Sequence, residues 1–158
     1  MLEQLKAAAR VDITHVPYKG GGQQITDALS GQFEVLSVNA GAAITQHVKA
    51  GKLRLLAVGA PARLDAFPAV ATLAELGFPA ANLSSVFGLF APAGVPPAVV
   101  ERLNAEVNKA LASPEVRARL AAGDNVPTGG TAAAFAKLIA TESANNARII
   151  KAANIQPE

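Results

Sequence analysis

Twice within residues 11–51 a run of branched apolar residues reaches a glycine-bearing turn and gives way to helical spacing. VDITHV at 11–16 stops at Pro17 and passes through Gly20, Gly21 and Gly22 into QQITDALSG. There Ile25, Ala28 and Leu29 share one helical face, and Gly31 closes the helix. FEVLSV at 33–38 passes through Asn39, Ala40 and Gly41 into AAITQHVKAGK, stopped by Gly51. LRLLAVGA at 53–60 supplies a third run, nearly all apolar, as in strands covered on both faces. Strand, turn and helix in this order predict βαβαβ, the unit of a doubly wound α/β sheet. MLEQLKAAAR ahead of it reads as a short amphipathic helix with no apolar core of signal-peptide length.

Beyond residue 60 the pattern changes. Residues 61–82 form a proline-punctuated connection, expected at the surface, with one short helix around TLAELG that Gly77 terminates. SSVFGLFAPAG at 84–94 predicts a strand ending in Pro92 and Gly94. Three helices are then expected. The first starts at Pro97 with Val99, Val100, Leu103, Val107 and Leu111 on one face; the second is capped by Ser113 before Pro114; the third is long and follows Thr131. No internal repeat of fixed period is present.

Composition excludes several functions. Of the 158 residues 51% are hydrophobic, enough for a packed core, and the net charge of +2 comes from interspersed charges, so a nucleic-acid partner is not expected. With no cysteine there is no disulfide, thiolate nucleophile or cysteine metal site. His15, in a predicted strand, and His47, in a helix, have no metal-ligand spacing to a carboxylate and read as structural; no metal or cofactor is expected. Ser84 and Ser85 lack a nucleophile-elbow context, and Glu101, Glu106, Glu115 and Glu142 read as solvated helix faces. No acid, base and nucleophile converge, so an enzyme is not expected.

The two turns carry the remaining chemistry. Free N–H groups and the positive dipole end at the start of a helix favour an anion, and glycine lets a guest approach the backbone. Lys19 precedes the glycines, so the turn is not a P-loop, and GGGQQI lacks the dinucleotide-binding spacing. A carboxylate or phosphate fits best. Lys19 either reaches that anion or stands solvated, and Tyr18 either lines a cleft or sits at the sheet edge. Asn39, Ala40 and Gly41 either converge on the same crevice at the carboxyl end of the sheet or form an ordinary turn.

HVPYKGGG, AGKLR and FGLFAPAG, with VPPAVVERLNAEVNKALASPEVRARLAA, resemble the solute receptors of tripartite tricarboxylate transporters, called TctC or Bug-type, over essentially the whole chain. The resemblance implies a periplasmic-binding-protein-like α/β fold of two lobes that close on a small carboxylate. It also implies no enzymatic activity, transporter subunits in the membrane as partners, and a periplasmic location. Tyr18, Lys19, Gly20, Gly21, Gly22, Asn39, Ala40 and Gly41 match second-lobe turns at the cleft. Residues 1–83 correspond to second-lobe βαβαβ and crossover, and 84–158 to the crossing strand and first-lobe helices. The signal peptide, first-lobe strand and first-lobe turn of the family are not seen, so the chain reads as the carboxyl-terminal portion of a receptor. Val86 stands where many members have tryptophan. Apolar faces in VVERLNAEV and FAKLIATE are then expected to be covered by the first-half sheet or by a second copy. The alternative function is a non-binding oligomeric interaction module.

Overall fold

Helices form where apolar spacing and stop signals coincide. The computed structural model describes residues 1–155. They fall into two compact units, Met1–Ser85 and the stretch beginning at Val86. The first unit holds α1 (Leu2–Ala9), α2 (Gly21–Leu29), α3 (Ala42–Lys49) and a 3-10 turn at Pro79–Ala81; the second holds α4 (Pro97–Ala112), α5 (Pro114–Ala122) and α6 (Ala132–Ala152).

The predicted stops operate by one mechanism. After α2, Gly31 takes a positive φ of 77° while its N–H donates to Ala28 O and that of Gln32 donates to Asp27 O. Gly51 ends α3 in the same way, with bonds to Val48 O and His47 O. Each pair satisfies carbonyls that the helix end would otherwise leave open. In the second unit Ser113 Oγ accepts from Val116 N–H and Thr131 Oγ1 from Ala134 N–H, the two expected caps.

The predicted sheet is not formed among the described residues. The segments 11–16, 33–38 and 84–94 are extended or irregular without ladders, and the 53–60 run makes a single isolated parallel bridge, Val58 with Thr72. Val58 N–H donates to Ala71 O and its carbonyl accepts from Leu73 N–H. Branched apolar runs supply the propensity for a strand, but a ladder also needs a neighbour in register along its whole length. VDITHV, expected to be buried, is largely exposed, His15 included.

The connection over 61–82 also departs from expectation, because it supplies most of the buried residues. Thr72, Leu73 and Ala81 are buried there together with Val58. TLAELG forms one turn, not a helix. Thr72 Oγ1 accepts from Glu75 N–H, the Glu75 carboxylate accepts from Thr72 N–H at 2.7 Å, and Gly77 closes the turn at φ 89°. Both ends are capped within six residues, so no further helical turn fits. Asn82 then bonds the backbone of Ala60 through both ends of its amide, at 3.3 and 2.9 Å, substituting for one rung of a ladder.

In the second unit Asn108 of α4 bonds both backbone groups of Gly130, at 2.8 and 2.9 Å, and Asn104 donates to the same carbonyl at 3.0 Å. This fixes the turn before α6. Phe135 of α6 lies across Gly88, where a Cβ would not fit, and tilts against Phe90 with ring centroids 5.4 Å apart. The predicted apolar face of α4 is only partly covered: Val99 and Leu103 are exposed, whereas Val100, Val107 and Leu111 are half-buried.

Candidate ligand-binding site

The two turns singled out in the sequence become the amino ends of α2 and α3. Gly20 is the N-cap of α2 and Gly41 that of α3, both with extended backbone, at φ −175° and 169°. Among the described residues no side chain caps either helix. The first N–H groups are therefore left to an acceptor from outside the helix, and the dipole gives that end a partial positive charge.

The glycines in these turns are not required by the protein itself. An extended φ suits any residue, and a Cβ at Gly20, Gly22 or Gly41 would meet nothing within 4 Å. Gly21 would make only ordinary contact, 3.9 Å from Val38 Cγ2. Gly21 and Gly22 occupy the first two positions of α2. Open space thus lies beside bare backbone at the start of the helix.

The structure brings the two turns together. Besides the approach of Gly21 to Val38, Gln24 Nε2 of α2 donates to Ser37 O at 3.2 Å, just before Asn39. Asn39 is itself held from a distant part of the chain: Ser85 Oγ donates to Asn39 Oδ1 at 2.6 Å. Asn39 and Ala40 are exposed, and Gly41 is half-buried. Lys19 is exposed, with no ion pair or hydrogen bond to another side chain among the described residues.

Tyr18 has a structural engagement. Its hydroxyl donates to Asp27 Oδ2 at 2.9 Å and its ring tilts against Phe33, centroids 5.7 Å apart. Local desolvation, followed by the Asp27 bond and charge, raises the phenol above its ordinary value. Tyr18 thereby fixes the approach to the glycine turn against the body of α2.

Among the described residues no three His, Asp or Glu side chains are grouped to hold a metal ion. His47 is half-buried in the last turn of α3. Glu115 pairs with Arg119 at 3.0 Å on the solvated face of α5. Ser85 is the residue that sequence reasoning missed. No local signal in the sequence links it to a turn 46 positions earlier.

The profile described as tripartite tricarboxylate transporter family receptor (TctC) matches residues 1–155. A Pseudomonas sp. (strain P51) protein from the tcbD-tcbE intergenic region is 36% identical over 88% of this chain and 41% of its own length. Protein BugT of Bordetella pertussis is 37% identical over 82% of this chain and 39% of its own. The chain thus spans about two-fifths of the length of these curated relatives. A solved structure described as a periplasmic transporter is 38% identical, superposes with a TM-score of 0.83, and is matched over 98% of this chain and 51% of that one. This likeness supports the periplasmic-binding-protein type of fold, although the parallel sheet is not expressed as ladders here.

Proposed function

We propose, from the premise that this chain belongs to the tripartite tricarboxylate transporter receptor family (TctC), that it captures a small carboxylate in the periplasm and presents it to membrane transporter subunits. Binding involves no bond chemistry. A carboxylate oxygen accepts from the free N–H groups at the start of α2 and α3, with Lys19 adding positive charge and Tyr18 holding the turn from behind. The observation that carries this reading is the bare, uncapped helix start: glycines that neither conformation nor packing requires, with open space where their side chains would be.

The test is thermal melting of the chain with acetate, succinate or citrate. A ligand that binds only the folded state stabilises it by roughly 2.7 kcal/mol at a hundredfold excess over its dissociation constant. At least one acid is expected to raise the melting temperature, and Gly21→Val and Lys19→Ala are expected to reduce the rise. Unchanged affinity in both variants would remove the turn from the site.

The second reading, a non-binding oligomeric module, is favoured by the exposed apolar run Phe87, Leu89 and Phe90. It predicts no shift with any acid and a mass that grows with concentration.

A further inference from the structure

We infer that Ser85 is a positioning residue for carboxylate recognition, acting through Asn39; the inference rests on the receptor reading above. An amide side chain has an acceptor end and a donor end that diverge. Ser85 Oγ occupies the acceptor end of Asn39 at 2.6 Å, and among the described residues Asn39 Nδ2 has no hydrogen-bond partner. Asn39 stands two residues before the Gly41 cap, and Ser37, two residues earlier, is tied to α2 through its carbonyl, which accepts from Gln24. With Oδ1 engaged by Ser85, the amide favours one orientation, and its N–H group is a donor two residues before the α3 cap. A carboxylate that accepts from the α3 backbone accepts from Asn39 Nδ2 as well. Without Ser85 the amide rotates freely, and its donor is ordered only at the moment of binding, which weakens affinity.

The experiment is a double-mutant cycle on the full chain, with succinate and citrate as probes and titration calorimetry as readout. Loss of one neutral hydrogen bond's worth of ordering predicts that Ser85→Ala weakens binding roughly three- to tenfold. Ser85→Thr, which keeps the hydroxyl, is expected to restore it. In an Asn39→Ala background Ser85→Ala is expected to have no further effect, a non-additivity that a general structural role does not produce. Affinity unchanged by Ser85→Ala, or weakened equally with and without Asn39, overturns this inference and leaves the receptor reading standing. A parent chain that binds neither probe overturns both.

Discussion

Glu75 makes three attachments, two through its carboxylate and one through its backbone N–H. It accepts from Thr72 N–H, pairs with Arg63 Nε at 2.9 Å, and its own N–H donates to Thr72 Oγ1, beside the few buried residues of the first unit. Chiefly the Thr72 N–H, with Arg63 adding and partial desolvation opposing, holds its carboxyl below the ordinary value near 4.5. A depressed carboxyl stabilises the fold above the unfolded value, and that contribution is lost as pH falls through the folded one. Glu75→Gln is therefore expected to melt below the parent at pH 7, with the gap narrowing on titration down from about pH 5. A gap of constant size across that range would rule out the carboxylate as its source. The spacing from Thr72 to Glu75 is a capping-box signature readable in the sequence, whereas Arg63, 12 residues before Glu75, is recruited only by folding.

Elements were legible where the signal is local. The stops at Gly31 and Gly51 and the caps at Ser113 and Thr131 each depend on a few consecutive residues and lie where the sequence predicts them, whereas Gly77 closes a turn in place of the helix expected at TLAELG. The 53–60 run was read as a strand covered on both faces, yet Leu56 is 58% exposed and only Val58 pairs. A strand depends on partners far along the chain, which composition does not name. The same limit hid the tie from Asn108 to Gly130, which unites α4 with the turn before α6. Asn108→Ala removes two bonds to that backbone and is expected to lower stability by about 1–2 kcal/mol, read as an earlier urea midpoint at unchanged slope. Lys109→Ala, on an exposed position of the same helix, serves as the control and is expected to shift little.

For the whole molecule, the exposed area is the governing quantity. The chain exposes 11428 Å². Two separate compact bodies, each of half its 16.1 kDa, would expose about 4,500 Å² apiece. The surplus includes Phe87, Leu89 and Phe90, each more than 70% exposed. Apolar surface of this kind drives association. Serine at all three positions is expected to lower dye binding to apolar surface and to reduce any rise of mass with concentration in light scattering. Equal dye binding in the parent and the triple variant would place the sticky surface elsewhere. No helix of the described residues is long and apolar enough to cross a membrane.

The sequence by itself determined where α2 and α3 stop, the side-chain caps of α5 and α6, the absence of cysteine chemistry, and the two glycine turns, because each follows from residues adjacent in the chain. Its family motifs also pointed to the receptor family that the profile match shows. Only the tertiary structure decided that the 61–82 connection carries the buried centre, that the apolar runs remain without ladders, and that Ser85 reaches Asn39. Those outcomes depend on which distant segments meet, and hydrophobic attraction is non-directional, so apolar composition leaves that choice open.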